Sequence, residues 1–394
     1  MNTPKIRFKG FTDDWEQRKV QGVADRFDNL RIPVAANLRV HGTTPYYGAN
    51  GIQDYVEGFT HDGEFVLVAE DGANDLKNYP VKCVNGRIWV NNHAHVLQGK
   101  AGIADNSFLA FAISQSDIES LLVGGGRAKL NAETLMSIEF RLPCLQEQYR
   151  IGEYLTQLNH LITLHQRKCD ETKQLKKFML QKMFPKNGEK NPEIRFEGFT
   201  DDWEQRKLGE LGKATGGTSI ESEFSAEGVY KVISIGSYSE NSVYNDQGIR
   251  AIKSDKTNNR VLNRNDLTMI LNDKTTSGNI IGRVLLIEES GIYVYNQRTE
   301  RIEINVEEYD PVFLYEMLNA PNIREKIIKQ SQGNTQIYVN WSAISLLDYM
   351  IPSKEEQVKI GEYLHNISHL ITLHQRKCEK LKELKKFMLQ NMFV

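Results

Sequence analysis

The sequence predicts a mixed α/β (α+β) fold with a pseudo-two-fold internal repeat, in which two unlike domains are each followed by a long helix. The opening IRFKGFTDDWEQRKV at 6–20 recurs as IRFEGFTDDWEQRKL at 194–208. The ending IGEYLTQLNHLITLHQRKC at 151–169 recurs as IGEYLHNISHLITLHQRKC at 360–378. Self-similarity of this kind is the signature of a repeated structural unit, so the two halves are predicted to open and close in the same way.

The stretches between these repeats differ in sequence, yet short matching segments occur in them in the same order. The offset between matching segments grows from 202 to 204 to 209 residues along the chain, as loop insertions in a shared fold would make it. Three pairs of segments set these offsets: GEFVLVAED (63–71) with NDLTMILND (265–273), WVNNH (89–93) with YVYNQ (293–297), and GGGRAKLN (124–131) with GNTQIYVN (333–340). The two middles are therefore interpreted as one fold that carries two different surfaces.

The repeated endings are predicted to be long helices with coiled-coil seams. Apolar residues recur at alternating spacings of four and three, the pattern by which helices pack along a shared stripe. The predicted seam comprises Leu155, Leu158, Ile162 and His165 in the first ending and Leu364, Ile367, Ile371 and His374 in the second. About 35 residues at 1.5 Å each form a rod of roughly 50 Å. A lone helix cannot bury such a stripe, so the two matching stripes are expected to cover each other.

Length and composition narrow the class of protein. The chain has 394 residues and a net charge of −2, so more than one domain is expected and basicity gives no general argument for nucleic acid. The four cysteines show no metal-type spacing, no apolar run reaches the ~18 residues of a membrane helix, and the N-terminus lacks a signal-peptide core. A reducing cytoplasm and no membrane partner are therefore expected.

Within the middles, β-branched and aromatic runs bounded by Gly or Asp predict strands at 63–70, 86–97, 229–235 and 291–304. Helices are predicted over 310–330, with a proline interruption, and over a shorter counterpart at 106–125. The predicted segments are 1–20 (repeated N-terminal segment), 21–146 (first variable domain), 147–184 (central long helix), 185–208 (linker and repeated segment), 209–354 (second variable domain) and 355–394 (C-terminal long helix).

With these features the chain resembles the specificity subunits of type I restriction–modification enzymes. The resemblance is carried by the DDWEQRKV and DDWEQRKL openings and by a Gly…Pro…Glu-Gln-x-x-IGEYL pattern at each domain end. That pattern falls on Gly124, Pro143, Glu147 and Gln148, and again on Gly333, Pro352, Glu356 and Gln357. The resemblance covers essentially the whole chain, and its double occurrence makes it more specific than any single motif.

The resemblance implies that each variable domain is a target recognition domain that reads one half of a bipartite, asymmetric double-stranded DNA target. It implies that the two helices pack antiparallel as a spacer, and that two modification subunits and restriction subunits are the partners in a bacterial cytoplasm. Those partners would methylate adenine and cleave foreign DNA. The chain itself is expected to be non-catalytic and to bind no cofactor, because S-adenosylmethionine, ATP and Mg belong to the partner subunits in this family.

Two catalytic motifs are missing from the sequence, in agreement with a non-catalytic role. It has no Gly-x-x-x-x-Gly-Lys-[Ser/Thr] phosphate loop. It also has no [Asn/Asp]-Pro-Pro-[Tyr/Phe] tetrapeptide, with which an adenine methyltransferase holds a flipped base.

Polar and basic residues in the landmark segments are the candidate DNA contacts, because base edges and phosphates are read by such side chains. In the first domain the candidates are Tyr47, Asn50, Asn92, His93, Arg127 and Lys129. In the second domain they are Lys274, Thr275, Gln297, Arg298, Asn334 and Gln336.

Two other functions stay open at this point. An enzyme with its own recognition domains is disfavoured by the missing tetrapeptide, and a DNA-free scaffold is disfavoured because it gains nothing from unlike end domains. His93 and His95 alternate on a predicted strand and could ligate a metal, although no third ligand is apparent nearby, so no metal site is predicted. Cys169 and Cys378 are interpreted as small seam residues rather than redox groups.

Overall fold

A computed structural model describes residues 3–124, 128–186, 188–274, 277–333 and 336–393 of the chain. It divides the chain into two compact units. Unit 1 comprises Met1–Arg167 and Gln375–Val394, and unit 2 comprises Lys168–His374. Each unit therefore contains one variable middle, the beginning of one long helix and the end of the other.

The middle of unit 1 is a twisted sheet backed by short helices. Its strands are β1 (Glu16–Lys19), β2 (Ala24–Arg26), β3 (His41–Gly48), β4 (Gly51–Val56), β5 (His61–Ala69), β6 (Val81–Val90), β7 (Ala94–Gly99) and β8 (Glu139–Leu142). Its short helices are α1 (Val20–Val23), α2 (Asn106–Ser114) and α3 (Ala132–Ser137). The main sheet has the order β2-β7-β5-β6-β3-β4, in which β3 and β6 run parallel and the other neighbours antiparallel.

Unit 2 repeats this topology with shorter, more interrupted strands. They are β9 (Glu204–Lys207), β10 (Gly212–Gly216), β11 (Tyr230–Ile233), β12 (Arg250–Ala251), β13 (Leu267–Ile270), β14 (Asn272–Asp273), β15 (Val284–Leu286), β16 (Tyr293–Tyr295), β17 (Thr299–Ile304), β18 (Ile337–Tyr338) and β19 (Asp348–Ile351). The short helices are α5 (Asp255–Asn258), α6 (Pro311–Asn319), α7 (Pro321–Ile328) and α8 (Trp341–Ile344). The sheets have the orders β10-β17-β13-β15 and β12-β11-β16. The single strand β6 of unit 1 is represented by β15 and β16 here, and β11 runs parallel to β16 as β3 does to β6.

The two long helices are α4 (Leu145–Lys182) and α9 (Lys354–Met392). In unit 2, Cys169 Sγ lies 4.0 Å from the carbonyl oxygen of Ile371, and Lys176 Nζ donates to Ser368 Oγ at 2.6 Å. Numbers rise along α4 as they fall along α9, so the two segments pack antiparallel within this unit. The predicted mixed α/β fold, its repeated domains and the packing of two long helices are confirmed.

The predicted seam residues differ in depth. Leu155, Leu158, Leu364 and Ile367 are buried, whereas Ile162, His165, Ile371 and His374 are half-buried. Both seam cysteines are buried, and in unit 1 Cys378 Sγ lies 3.9 Å from the carbonyl oxygen of Ile162. Each seam is therefore buried near the start of its helix, half-buried over the next two seam positions and buried again at the cysteine.

The repeated glutamate at the start of each long helix is a buried ion-pair partner. Arg7 binds both carboxylate oxygens of Glu147 at 2.7 and 2.8 Å, and Arg195 binds those of Glu356 at the same two distances. Both glutamates are fully buried. A forked guanidinium–carboxylate pair fixes both orientation and register, so it ties each repeated opening to the helix of its own unit.

The repeated glutamine positions the short helix of each middle. Gln148 Nε2 donates to the carbonyl oxygen of Pro143 at 2.9 Å, while its Oε1 accepts from the Asp105 N–H at 2.9 Å. Asp105 in turn caps α2 by accepting from the Phe108 N–H at 2.8 Å. A Cβ at Gly152 would lie 2.7 Å from Asp105 Oδ1, so only glycine lets α4 approach this cap.

Unit 2 has the same arrangement at equivalent residues. Gln357 binds the carbonyl oxygen of Pro352 at 3.0 Å and the Asp310 N–H at 2.9 Å, and Asp310 caps α6. A Cβ at Gly361 would lie 2.8 Å from Asp310 Oδ1. The Pro, Glu-Gln and Gly positions of the repeated motif thus form one structural joint.

An aromatic cluster lies beneath each joint. In unit 1 the clustered rings are Trp15, Phe108 and Phe393, with centroids 5.5–6.4 Å apart. In unit 2 they are Trp203, Phe313 and Phe184, with centroids 5.8–6.5 Å apart. The phenylalanine that follows the last turn of a long helix therefore enters the core of the unit in which that helix ends.

The two clusters differ by one hydrogen bond, which predicts unequal mutational effects. Trp15 Nε1 donates to Glu147 Oε2 at 3.2 Å, whereas the equally buried Trp203 Nε1 has no acceptor among the described residues. We expect Trp15→Phe to lower the free energy of unfolding by about 1.5 kcal/mol more than Trp203→Phe, because only Trp15 loses a hydrogen bond to a charged group. Urea denaturation of the two variants measures the difference, and equal losses would contradict this reading.

Candidate nucleic-acid interface

Three predicted segments of unit 1 meet at the end of β5. The Glu70 N–H donates to the carbonyl oxygen of His93 at 2.9 Å, and the Leu130 N–H donates to that of Glu70 at 2.7 Å. Asn50 Nδ2 donates to the carbonyl oxygen of Gly72 at 2.9 Å. The hairpin turn between β3 and β4, the turn between β6 and β7, and the segment at Lys129 and Leu130 are therefore brought to one edge.

A buried histidine anchors this edge. Both ring nitrogens of His95 face oxygen atoms, Nδ1 at 2.7 Å from Asp28 Oδ2 and Nε2 at 2.9 Å from the carbonyl oxygen of Leu130. Burial favours neutral Asp28, but hydrogen bonds from His95 and the Val96 N–H hold the pKa of its carboxyl below the usual value. The ring is therefore fixed between a carboxylate and a backbone carbonyl.

A second carboxylate joins this cluster and two cations neutralise it. Arg31 Nη1 lies 2.6 Å and Lys129 Nζ 2.8 Å from the Glu70 carboxylate. Burial opposes the charge on Glu70, but these bonds hold its pKa below the usual value. Asp28, Glu70 and His95 lie close enough to share a metal ion. Because Arg31 and Lys129 already supply the positive charge, the arrangement is better described as an ion-pair cluster.

The predicted residues of unit 1 occupy different environments at this edge. Asn92 is exposed; His93 is half-buried against Asp71. Asn50 is exposed, but its side chain also accepts from the Asn74 N–H, so it holds the loop as well as facing solvent. Lys129 is half-exposed and paired with Glu70. Arg127 lies outside the described residues.

Tyr47 does not have the environment that the sequence suggested. It lies on β3 rather than in a loop and is 6% exposed, within a cluster that includes Phe65 and Val90. The turn residues after it made the whole stretch look like a loop, but the turn begins only at Ala49. Its burial argues against Tyr47 as a base contact.

Unit 2 brings its predicted segments together in the same way. The Leu271 N–H donates to the carbonyl oxygen of Arg298 at 3.0 Å, and the Val339 N–H donates to that of Leu271 at 2.9 Å. The neighbouring strands β14 and β18 pair antiparallel. Lys274, Gln297, Arg298 and Gln336 are all exposed near this edge. Thr275 and Asn334 lie outside the described residues.

The two edges are built alike and display different chemistry. Val123 and Lys129 form a backbone bridge in unit 1, and Gln332 and Tyr338 form the equivalent bridge 209 residues later. Lys129 is thus replaced by Tyr338, and at the other turn His93 is replaced by Arg298. One backbone frame presents two unlike sets of donors and acceptors.

Comparison with known proteins decides the family. The family model for the type I restriction modification DNA specificity domain matches residues 12–174 and again 200–383. The chain belongs to this family. A Haemophilus influenzae protein named as a type I restriction enzyme specificity subunit is 44% identical over 146 residues, which are 37% of this chain and 38% of that protein. The MjaVIII type I restriction enzyme specificity subunit of Methanocaldococcus jannaschii is 26% identical over 398 residues, covering 95% of this chain and 91% of that protein.

A solved structure supports the fold independently. The crystal structure of a type I restriction–modification system S subunit from M. genitalium covers 100% of this chain and 99% of that chain, with a TM-score of 0.73 at 14% identity. Such low identity shows a shared fold alone. In the described ranges no helix combines the length and apolarity needed to cross a bilayer.

The sequence did not predict several residues that form contacts at or near the two edges. In unit 1 these are Asp28, Arg31, Glu70 and His95 as one ion-pair cluster. In unit 2, Arg260 donates to the carbonyl oxygen of Gly216 at 2.7 Å and to Thr218 Oγ1 at 3.0 Å. These contacts join residues 39 to 67 positions apart, and no local pattern marks them.

Arg298 has a strained backbone conformation in its turn. Replacing it with glycine is therefore predicted to affect stability and DNA binding in opposite directions. Its φ is 67°, a left-handed conformation that favours glycine. We expect Arg298→Gly to leave the free energy of unfolding unchanged or raise it by up to about 1 kcal/mol, while DNA affinity falls because a cation is lost. Thermal unfolding and a DNA-binding titration on the same samples test both halves, and lower stability with unchanged affinity would contradict the prediction.

Proposed function

We propose that this chain is the DNA-reading subunit of a type I restriction–modification complex and performs no chemistry itself. Each unit reads one half of a bipartite, asymmetric target with the edge described above. The observation that carries the proposal is that both units keep the same backbone frame at this edge while presenting different exposed side chains. Two unlike readers on one repeated scaffold fit a target with two unlike halves.

Physical reasoning supports two linked readers. Donors and acceptors on base edges distinguish the four base pairs, and each good contact discriminates by about 1–3 kcal/mol. Linking two readers raises the effective concentration of the second once the first is bound. The chain thereby directs adenine methylation and restriction by partner subunits, which supply S-adenosylmethionine, ATP and Mg.

Sequencing of methylated adenines tests this function. A bacterial host receives the modification partner with or without this chain. We expect a new motif with two unlike halves separated by a fixed gap to appear only with the chain. An unchanged methylome, with the chain folded and bound to its partner, would contradict the proposal and favour a DNA-free scaffold.

An exposed apolar pair marks where identical partners would dock. In unit 2, Leu175 and Phe178 on α4 are 43% and 46% exposed, and in unit 1 their repeats Leu384 and Phe387 on α9 are 38% and 52% exposed. Exposed large apolar residues on a helix favour contact with another protein. Because the pair occurs once in each unit, two copies of one modification subunit fit it best.

This docking surface predicts a change in stoichiometry. We expect Phe178→Ser to reduce the bound modification subunits from two to one per chain, and the double variant with Phe387→Ser to bind none, because each phenylalanine serves one copy. Native mass spectrometry of the purified complex counts the subunits. Leu346→Ser is the matched control, since Leu346 is 63% exposed but its counterpart is Ser137. A two-to-one complex with the double variant would rule this surface out.

A further inference from the structure

Glu300 is a buried acid without a partner. It lies on β17 and is only 6% exposed. No described residue donates a hydrogen bond to its carboxylate or pairs with it in a salt bridge. Burial raises its pKa to about 7, and the nearby positive charge of Arg260 opposes this shift only in part. Buried carboxylates are normally paired, because burying an unpaired one costs folding free energy. An unpaired acid at position 300 therefore requires an explanation.

The equivalent position of unit 1 holds a buried polar residue that has partners. Glu300 stands opposite Met269 on β13, and the equivalent pair in unit 1 is His95 opposite Val68. Both ring nitrogens of His95 face oxygen atoms of its own unit, whereas Glu300 has no such partner among the described residues. Glu300 therefore belongs to what distinguishes the two readers.

The neighbouring edge strand leaves space beside the carboxylate. Gly216 on β10 stands opposite Glu300, and a Cβ on it would lie 3.3 Å from Glu300 Oε2. In unit 1 the residue beside His95 is Asp28, whose carboxylate oxygen lies 2.7 Å from the imidazole ring. The glycine of unit 2 supplies no side chain at this place, and β10 is the outer strand of its sheet.

The surroundings resemble a site for a base beside its phosphate. Glu300 lies two residues after Arg298 in the chain, close to the exposed turn formed by Gln297 and Arg298. Arg260 is held at the other side by the carbonyl oxygen of Gly216 and by Thr218. A carboxylate accepts hydrogen bonds and donates none, while a guanidinium binds phosphate. A nucleotide with an exocyclic amino group offers both partners.

We propose that Glu300 is a specificity-determining residue of unit 2, where it accepts a hydrogen bond from the exocyclic amino group of a cytosine or an adenine in the target. This assignment rests on the proposed function. Acidic side chains read the cytosine amino group in this way in the major groove. The acid stays unpaired in the free protein because its partner is the DNA.

Three variants test the assignment in the complex with its modification partner. Glu300→Val removes a buried carboxylate that no described residue partners, so this variant is expected to fold. Glu300→Gln keeps the size and removes the ionisation. Glu303→Val, on the opposite and exposed face of the same strand, is the matched control.

With Glu300→Val, we expect methylated-base sequencing to show relaxed preference at one position of one half-site, with the other half and the gap unchanged. For the wild type, DNA affinity should rise about tenfold from pH 6 to pH 8, because an acid with a pKa near 7 is about a tenth ionised at the first pH and nine-tenths at the second. Glu300→Gln should flatten this rise, and Glu303→Val should change neither readout.

An unchanged motif with Glu300→Val would overturn the assignment, and so would an unchanged pH profile with Glu300→Gln. These outcomes leave the proposed function intact as long as the wild type yields a bipartite motif. A wild-type complex that yields no such motif would remove the proposed function, and the role of Glu300 with it.

Discussion

Replacing Arg195 with leucine is expected to lower the free energy of unfolding of unit 2 by about 3–5 kcal/mol. The reason is that Glu356 is fully buried and its charge is met by the two guanidinium bonds of 2.7 and 2.8 Å. Removing one partner of a buried ion pair leaves an uncompensated charge, which is far more destabilising than losing a surface pair. The joint that ties the repeated opening to α9 would open first.

Peptide-resolved hydrogen exchange in urea measures this effect unit by unit. Protection should fall in the peptides of unit 2, and unit 1, whose Arg7–Glu147 pair is intact, serves as the internal reference. Arg206→Leu is the matched control, because the Arg206–Glu204 pair is exposed and such pairs contribute about 0–1 kcal/mol. Equal losses in Arg195→Leu and Arg206→Leu would contradict the buried-charge explanation.

A double variant separates charge from packing. Arg195→Leu with Glu356→Leu removes both charges, and replacing a buried pair by apolar residues is often neutral or stabilising. We therefore expect the double variant to be more stable than Arg195→Leu alone. A double variant less stable than the single one would show that the side chains act through packing.

The sequence identified the joint but could not explain it. Glu147 and Gln148 stood out because their pattern is repeated, yet their partners Arg7 and Asp105 lie 140 and 43 positions away. Repetition is a local property of the letters, whereas an ion pair depends on how the chain folds back. The motif was therefore predictable and the chemistry of its residues was not.

Strand boundaries show a second limit of sequence reasoning. The stretch 86–97 was predicted as one strand, but it breaks at Asn91, whose side chain accepts from the His93 N–H at 2.8 Å and makes a turn. The stretch 291–304 breaks at the equivalent place, between β16 and β17. Periodicity does not reveal these breaks because polar residues also alternate along a strand. They place the candidates Asn92, His93, Gln297 and Arg298 in turns.

The hairpin of β3 and β4 was not predicted, since glycine, proline and aspartate interrupt the β-branched and aromatic residues of its two strands. Glu300 was overlooked for a different reason. An acid in a predicted strand is ordinarily a solvent-facing residue, and only the register with Met269 and the equivalence with His95 show that it faces inward. Burial of a polar group is set by tertiary packing, which the sequence alone does not display.

Identical sequences on the two long helices are expected to respond differently to the same substitution. Lys176 and Lys385 occupy the same position of the repeated LKKFMLQ segment. Lys176 lies 2.8 Å from an oxygen of Glu316, which is 1% exposed, and also donates to Ser368. Lys385 instead lies over the ring of Phe111, 5.9 Å from its centroid. The two helices have the same sequence at this position, but the residues that the two lysines contact differ because the two middles differ in sequence.

Lys176→Met should therefore lower the free energy of unfolding of unit 2 by about 3–5 kcal/mol, because it leaves Glu316 buried without its cation. Lys385→Met should lower that of unit 1 by no more than about 1 kcal/mol, since a cation–π contact of a lysine contributes that much at most in a partly exposed setting. Hydrogen exchange in urea, read separately for each unit, gives both values. Equal losses would mean that the repeated helix, rather than the unlike middle, sets the energetics of each contact. Adding Glu316→Met to Lys176→Met should restore most of the loss, because the unpaired charge is then gone.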